Sequence, residues 1–297
     1  MPTMKRQPST EVQISDADLH EIRTLIEQRS AVHLDESRER FFSTRLREYA
    51  AEESLRTGAE LLLRIRSAGT EYEALLERLL TQETSFFRYP AVYEALGKTI
   101  LPEIQERKFW RSPRTLRVWS AGCSTGEEPY SIAITLCDSL KFAEAWEIEI
   151  LATDISRRAL RHAEKGAYSK RSLQELSLRQ LDAHFTAAKH GFHVRPRIRR
   201  MISFAQMNLA DPMYVGKMDC IFCMNVLMYF TEKRRRAILQ GFYEALEPGG
   251  YFMLGHSETL THTPINFEAV TLGDCRLYRK PVATEHGRAV AMAEGSL

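Results

Sequence analysis

Residues 119–130, WSAGCSTGEEPY, have types and spacing that suit the binding of a nucleoside cofactor. An apolar run at 115–119 predicts a strand before them, and Glu-Glu-Pro at their end predicts a helix start, with Pro129 near the first helical position. Gly122 to Gly126 form a turn of small residues between the two. Glycines let a backbone approach a ligand closely, and a helix start offers unpaired N–H groups to a carboxylate or phosphate.

Polar residues follow the first four predicted strands. Ligands of an open α/β sheet bind beyond the carboxyl ends of its strands, so these residues belong together. Asp154 suits ribose hydroxyls, although a cap on the following helix explains it equally well alone, and Asn208 suits an adenine edge. Glu127 follows the first strand, and Asn225 follows the fourth, with Tyr229 one helical turn later. The whole series is more specific than any single member.

Strand and helix patterns alternate from residue 115 onward, which predicts a doubly wound parallel sheet. The predicted strands are 115–119, 147–153, 201–207, 219–224 and 250–254, and the predicted helices are about 128–140, 156–165 and 232–247. Runs at 267–271 and 275–279 predict an antiparallel hairpin. Between the second and third strands, 173–185 looks helical and 190–200 alternates basic and apolar residues, as exposed strands do. This insert is a small subdomain or a long loop.

Residues about 12–82 predict a small all-helical domain. Ser15 is the expected cap of its first helix, and two capping boxes, Thr57 with Glu60 and Thr70 with Glu73, open its third and fourth helices. The second helix, about 36–53, is rich in arginine. Such a helix presents either a solvated face or a docking surface for an acidic partner.

The composition is that of an ordinary globular protein, with 297 residues, 44% of them hydrophobic and 27% charged. The net charge of +2 argues against a dedicated nucleic-acid binder. Cys220 and Cys223 form a CxxC in an apolar strand without a second pair, so we expect reduced thiols and no metal site. Without a signal peptide or an apolar run of roughly 20 residues, we expect a cytoplasmic protein that does not insert into membranes.

Five motifs together resemble one family. They are TSFFR at 84–88, WSAGCSTGEEPYS at 119–131, ATDIS at 152–156, IFCMNVLMYF at 221–230 and GHSE at 255–258. The chain resembles the chemotaxis receptor methyltransferases, the CheR family of S-adenosylmethionine-dependent protein-glutamate O-methyltransferases. With the helical region before them, the match covers nearly the whole chain.

The resemblance implies a Rossmann-like class I methyltransferase sheet with an all-helical N-terminal domain, a small inserted β-subdomain and an S-adenosyl-L-methionine pocket between the domains. The expected divisions are 12–82 helical, 83–112 linker and helix, 113–281 methyltransferase with an insert at about 186–202, and 282–297 flexible tail. By motif, the cofactor contacts are Gln82, Thr84, Arg88, Ala121, Glu127, Asp154, Asn208, Leu209, Asn225 and Val226. Gln82 stands where the family pattern has asparagine.

The resemblance also implies a partner, the cytoplasmic helical bundle of chemoreceptors, whose glutamates receive methyl groups. Arg88 is the candidate that orients the incoming carboxylate or the cofactor, and Tyr229 is a second catalytic candidate whose alternative is a core aromatic. The docking candidates are Arg38, Arg45 and Arg47. The segment 186–202 is short for gripping a receptor's tethering peptide, so we expect an enzyme that needs no tether, and a monomer.

Three alternatives remain open at this point. The same sheet serves methyltransferases that act on RNA or a small molecule, and a non-catalytic module would bind S-adenosylmethionine without turnover. A dinucleotide dehydrogenase is disfavoured because the turn lacks GxGxxG spacing, and because Asp154 follows Gly122 by more than the roughly 20 residues expected.

Overall fold

The computed structural model describes residues 12–34, 39–80, 83–212, 215–260 and 263–282. These residues divide into two compact units, one formed by the described residues up to 80 with Tyr229–Thr231, and the other by the described residues from 83 onward without those three. Arg38 and Gln82 lie outside the described residues, as does the predicted tail from 283 onward. Within the described part of the chain, no helix is long and apolar enough to cross a membrane.

The smaller unit is helical in its described residues. Its helices are α1 (Asp16–Ser30), α2 (Glu39–Glu52), α3 (Gly58–Ser67) and α4 (Gly69–Leu79). The predicted N-cap Ser15 of α1 and the predicted capping box of Thr57 and Glu60 at α3 are confirmed, because both side chains accept from backbone N–H groups three residues later. Ser15 also forms a capping box with Asp18, which was not predicted. The box predicted at Thr70 is wrong. Helix α4 begins at Gly69, so its N-cap is Ala68 and Thr70 already lies inside the helix. The alanine side chain has no group that could cap.

The larger unit holds the predicted doubly wound sheet. Its helices are α5 (Pro90–Ala95), α6 (Leu101–Lys108), α7 (Glu127–Ser139), α8 (Arg157–Lys165), α9 (Leu178–His184), α10 (Pro196–Arg199) and α11 (Glu232–Ala245), with a π-helical stretch Leu96–Ile100 between α5 and α6. Its strands are β1 (Thr115–Ala121), β2 (Glu147–Asp154), β3 (Ala167–Tyr168), β4 (Phe185–Ala188), β5 (Gly191–Val194), β6 (Ile202–Gln206), β7 (Met218–Cys223), β8 (Leu246–Leu254), β9 (Glu268–Leu272) and β10 (Cys275–Arg279).

Seven of the described strands form the main sheet in the order β6-β2-β1-β7-β8-β10-β9. The first five are parallel to one another, β10 is antiparallel to β8, and β9 and β10 form the predicted antiparallel hairpin. Register aligns Ala121 of β1 with Thr153 of β2, and Ser120 with Phe222 of β7. The carboxyl ends of the central strands therefore lie at one edge of the sheet.

The insert contains a second small sheet in the described residues, ordered β3-β5-β4 and antiparallel. The prediction of exposed strands over 190–200 is correct for β5 and wrong for Pro196–Arg199, which forms α10. Pro196 explains the difference, since a proline fixes a helical φ angle and needs no partner at the first turn. The helix predicted over 173–185 is present in a shorter form, as α9.

Cys220 and Cys223 lie three residues apart on β7, so their side chains point to opposite faces of the sheet. Both are fully buried, and this burial raises the pKa of both thiols. The same cause raises the pKa of the buried Cys123. Of the five cysteines, Cys137 alone is partly exposed. The placement agrees with reduced thiols that serve as small apolar core residues.

A buried charge cluster lies at the opposite end of β7 from the carboxyl edge. The Asp219 side chain is 0% exposed and its Oδ2 accepts from the Lys108 ammonium at 2.5 Å and from the Arg117 backbone N–H at 3.0 Å. The Arg107 guanidinium lies 3.4 Å from Oδ1 and also donates to the Gly249 carbonyl at 2.7 Å. These contacts tie α6, β1 and β7 together at the base of the sheet.

Candidate active site

The turn between β1 and α7 is closed by bonds to the neighbouring strand. The backbone N–H groups of Gly122 and Cys123 both donate to the Thr153 carbonyl, at 2.8 and 2.9 Å. Gly122 has a φ of +88°, and a Cβ there would lie 2.5 Å from a methyl group of Val226. A glycine is therefore required for this close approach, which brings the residues after β7 against the turn.

Asp154, at the end of β2, connects the turn to α8. Its Oδ2 accepts from the Ser124 N–H at 2.8 Å, and its Oδ1 accepts from the Ser156 N–H at 2.9 Å. Ser156 is itself the N-cap of α8. Asp154 is therefore not itself the N-cap of α8, but it supports the residue that caps this helix and at the same time fixes the glycine turn. Its contact with ribose hydroxyls stays a prediction.

Ser124 carries a polar atom that the described protein leaves unpaired. Its Oγ is buried without a hydrogen-bond partner among the described residues, and its φ of +48° lies in the left-handed region. A buried unpaired hydroxyl is uncommon and calls for a hydrogen-bond partner from outside the described protein. Its place, inside the turn that Asp154 fixes, fits a bound polar ligand such as a nucleoside.

Two acidic residues begin α7. Glu127 is 6% exposed, its Oε2 accepts from the Thr125 hydroxyl at 2.7 Å, and burial raises the pKa of its carboxyl. Glu128 accepts from the Ser120 hydroxyl at 2.6 Å. Burial raises the pKa of Glu128 to about 7, with a further increase from Glu258 and opposing effects from the Ser120 hydrogen bond and Arg88. The sequence predicted a contact role for Glu127 and none for Glu128.

Glu128 should make the stability of the larger unit depend on pH. Its pKa is 4.5 when unperturbed and about 7 in the fold, so between these values the unfolded chain binds fewer protons than the folded chain. The free energy of unfolding is therefore expected to fall, by up to about 3 kcal/mol, as pH rises through this window. Urea titrations at pH 5 and pH 8 should show this loss in the wild type. In Glu128→Gln, which cannot ionise at this position, the free energy of unfolding should fall less between pH 5 and pH 8. An unchanged pH dependence would show that Glu128 is not the group responsible.

The two residues before Arg88 fix its segment to the rest of the larger unit. The Phe86 ring is fully buried, with ring centres 4.9 Å from Tyr168 and 5.7 Å from Phe185. The Phe87 N–H donates to the Ser131 hydroxyl of α7 at 2.9 Å. Phe86 therefore belongs to the core, Phe87 packs against it, and the two hold the next residues in place.

Arg88 and Tyr89 follow these anchors. Arg88 is half-buried, its Nη1 donates to the Glu83 carbonyl at 2.8 Å, and its guanidinium lies 5.6 Å from the Tyr89 ring centre. The Tyr89 hydroxyl donates to Oδ1 of Asn225 at 2.9 Å. The structure thus brings Arg88 close to the end of β7. It places Thr84 in the same segment, half-buried.

The remaining predicted contacts lie at the neighbouring strand ends. The Met207 N–H donates to the Asp154 carbonyl at 3.0 Å, so Asn208 and Leu209 follow β6 beside the end of β2. The Asn208 side-chain oxygen accepts from the Ala210 N–H at 3.1 Å, and Leu209 is buried. Ala121 is the last residue of β1. The residues that end β1, β2 and β6 therefore lie side by side at the carboxyl edge of the sheet.

Tyr229 and the docking arginines belong to the smaller unit. The Tyr229 carbonyl accepts from the His33 N–H at 2.6 Å, and its catalytic role stays a prediction. Arg45 contacts Glu48 at 2.9 Å and lies 5.2 Å from the ring centre of the exposed Phe41. Arg47 is exposed on the same helix, α2.

Two residues of the site were not predicted from the sequence as site residues. Tyr89 contacts Asn225 across 136 positions, and Glu258 accepts from the Asn225 N–H at 2.7 Å across 33 positions. Only GHSE, recognised as a short motif, pointed to the region of Glu258. Within the described residues, no group of three histidine, cysteine or acidic side chains is arranged to hold a metal ion.

Comparison with known proteins gives consistent results. Residues 82–274 match the family model described as "CheR methyltransferase, SAM binding domain". The chain is 34% identical over 278 residues to "Chemotaxis protein methyltransferase 2" of Vibrio cholerae, covering 91% of this chain and 95% of the relative. It is 32% identical to "Chemotaxis protein methyltransferase 1" of Pseudomonas aeruginosa, covering 89% and 98%. It is 34% identical to the "Chemotaxis protein methyltransferase" of Escherichia coli, covering 88% and 91%.

Proposed function

We propose that this chain, which belongs to the CheR family of chemotaxis protein methyltransferases, methylates glutamate side chains of chemoreceptors. It is an S-adenosylmethionine-dependent methyltransferase, and the receptor glutamates are the proposed substrate. One observation supports the proposal most directly. The glycine turn packs against the residues after β7, where Asn225 accepts from the Tyr89 hydroxyl. Tyr89 is adjacent to Arg88, a cation suited to a carboxylate substrate.

The turn between β1 and α7 and the strand ends beside it carry hydrogen-bond donors and acceptors that fit S-adenosylmethionine. The unpaired Ser124 hydroxyl and the Asp154 carboxylate offer partners for hydroxyl and amino groups. The start of α7 offers backbone N–H groups to a carboxylate. We propose the full set predicted by motif as the contacts, namely Gln82, Thr84, Arg88, Ala121, Glu127, Asp154, Asn208, Leu209, Asn225 and Val226.

The proposed chemistry needs little from the protein beyond binding and orientation. When bound, S-adenosylmethionine would supply a methyl group on a positively charged sulfur, and transfer of this methyl to a carboxylate oxygen would break its bond to sulfur and leave neutral S-adenosylhomocysteine. A glutamate carboxylate is already ionised at pH 7, because its free pKa is about 4.3, and so no general base is required. We propose that Arg88, with its planar guanidinium, orients the carboxylate, and that Tyr229 is the second catalytic residue. Holding the two reactants in line contributes part of the roughly 7–11 kcal/mol available to proximity.

The test of the substrate is the chemistry of the product. Protein, labelled S-adenosylmethionine and receptor-enriched membranes are incubated, and the labelled receptor is then treated with mild alkali. Glutamyl methyl esters release labelled methanol, whereas N-methyl and 2′-O-methyl groups do not. Release of methanol from the receptor band supports the proposal. Label that stays bound in alkali, or that appears only in RNA or small molecules, would contradict the proposal and show that the enzyme methylates another class of substrate.

Docking on the arginine-rich helix α2 gives a second test. Arg45→Glu combined with Arg47→Glu is expected to slow receptor methylation at least tenfold, since the receptor helices that carry the glutamates are acidic and charge attraction raises the encounter rate. Cofactor affinity, measured by calorimetry, should stay unchanged. The matched control reverses Arg66 and Arg78, which lie on α3 and α4 and pair with Glu21 and Glu52. Equal slowing in the control would show a general effect of charge.

We also propose that the enzyme acts as a monomer and without a tethering peptide. The small sheet of the insert supports this second point only through its size, since β4 and β5 have four residues each and β3 has two. Receptors that lack their C-terminal residues should then be methylated as fast as intact receptors.

A further inference from the structure

We propose that Tyr89 and Glu258 are positioning residues for the cofactor. Together they hold Asn225 in one conformation, in which its amide oxygen is occupied and its amide N–H groups are left for an acceptor atom of the ligand. This inference rests on the proposed function, in that Asn225 is taken to contact S-adenosylmethionine. The positioning itself is a property of the protein without its cofactor, and it is testable there.

Glu258 controls the backbone after β7. Its Oε2 accepts from the N–H groups of Asn225 at 2.7 Å and Gly255 at 3.0 Å, and its Oε1 accepts from Met228 at 3.3 Å. Asn225 has a φ of +61°, in the left-handed region that side chains other than glycine seldom adopt. One carboxylate that binds the N–H of Asn225 and the N–H of Met228, three residues later, stabilises this turn against relaxation to the ordinary regions.

The segment after β8 is shaped to deliver this carboxylate. The Glu258 N–H donates to the Gly255 carbonyl at 2.9 Å, which closes a tight turn. A Cβ on Gly255 would lie 2.9 Å from both the backbone nitrogen and the side-chain nitrogen of Asn225, and 2.8 Å from Oε2 of Glu258. Glycine is therefore needed for the two segments to approach each other.

Tyr89 fixes the side chain of Asn225. Its hydroxyl donates to Oδ1 at 2.9 Å, and its ring is stacked on His256, with ring centres 6.2 Å apart and planes at 20°. The Arg88 guanidinium lies 5.6 Å from the same ring centre. Because an asparagine amide has one acceptor oxygen and two N–H donors, occupation of the oxygen leaves the donors. Among the described residues these donors have no protein partner.

Adenosylmethionine offers acceptors that suit such a donor, in its carboxylate, its ribose oxygens and its adenine nitrogens. If the Asn225 amide rotated freely, it could present either its oxygen or its nitrogen to the ligand. Part of the ligand's binding free energy would then be lost in ordering this side chain. The network formed by Tyr89, Asn225 and Glu258 removes that choice before the ligand arrives. The two positioning residues act through Asn225 and need not touch the ligand.

The experiment uses Tyr89→Phe, which keeps the ring and removes only the hydroxyl. Calorimetry with S-adenosylmethionine and S-adenosylhomocysteine should show binding weaker by about tenfold, as for loss of one orienting hydrogen bond. In the cofactor-free protein, the side-chain amide resonance of Asn225 in an NMR spectrum should shift. The matched control is Tyr251→Phe in the same unit, whose hydroxyl donates to Glu103 at 2.7 Å, and it should leave both readouts unchanged.

A double-mutant cycle separates positioning from direct contact. In an Asn225→Ala background, Tyr89→Phe should have no further effect on cofactor affinity, and Glu258→Gln should also lose most of its effect. An equal loss in both backgrounds would overturn the proposal, because Tyr89 would then contact the ligand itself. Unchanged affinity and an unshifted amide resonance in Tyr89→Phe would overturn it as well. If the wild type bound no adenosylmethionine, the proposed function would fail, while the amide resonance would still decide whether Tyr89 orients Asn225.

Discussion

Replacement of Asp154 with alanine is expected to weaken S-adenosylmethionine binding by at least 100-fold. The carboxylate accepts from the backbone N–H groups of Ser124 and Ser156, and so it holds the glycine turn and the start of α8 in one arrangement. Hydrogen bonds to a charged group contribute about 1.5–3 kcal/mol each. A turn that has lost both of them must be ordered by the ligand, and this cost reaches the roughly 2.7 kcal/mol that corresponds to 100-fold. Any direct contact with the ribose adds to this loss.

Calorimetry with the cofactor measures the effect, and thermal unfolding shows whether the fold survives. Asp154→Asn keeps the shape and one oxygen acceptor, so it should lose less affinity than the alanine variant. Asp274→Ala, in the exposed turn between β9 and β10, is the control for loss of an acidic residue elsewhere in the same unit. Affinity within threefold of the wild type in Asp154→Ala would contradict the central place of this residue.

The largest loss of stability is expected from Asp219→Ala. This change leaves the Lys108 ammonium buried beside the Thr115 carbonyl without its carboxylate, and it removes the acceptor of the Arg117 N–H. Breaking one partner of a buried ion pair costs about 3–5 kcal/mol, because the remaining charge is uncompensated. Urea unfolding should therefore show a free energy of unfolding lower by that amount.

Glu149→Ala is the matched control for this second prediction. It breaks the pair of Arg117 and Glu149, which lies on the exposed side with both side chains about half accessible. Exposed pairs contribute about 0–1 kcal/mol, so this variant should remain close to the wild type. A loss below about 1 kcal/mol in Asp219→Ala would mean that water reaches the Lys108 ammonium and that the cluster is not a dry one.

The sequence was sufficient for the sheet and for the glycine turn because both depend on local patterns. Apolar runs alternate with helical segments, and Gly122 and Gly126 stand where backbone geometry demands them. The errors came where a local signal had a competitor. The Thr70 and Glu73 pair resembles a capping box, but the helix starts before it, at Gly69. The alternation over 190–200 resembles a strand, but Pro196 directs part of it into a helix.

The rest of the site depends on contacts between distant positions. Nothing near Tyr89 in the sequence shows that its hydroxyl meets Asn225, and nothing near Glu258 shows that it accepts three backbone N–H groups. The raised pKa of Glu128 likewise comes from burial by elements that are remote in sequence. Such features require the assembled fold, because burial and long-range hydrogen bonds have no local pattern.

The burial of four of the five thiols has a consequence for how the protein responds to oxidants and alkylating reagents. A thiol reacts through its thiolate, and a raised pKa together with a closed core keeps that form scarce. Electrophiles such as maleimides therefore have one accessible target in the folded chain, Cys137. Labelling of the other four then proceeds only during transient opening of the core. The rate of that labelling therefore measures how often the core around the methyltransferase sheet opens.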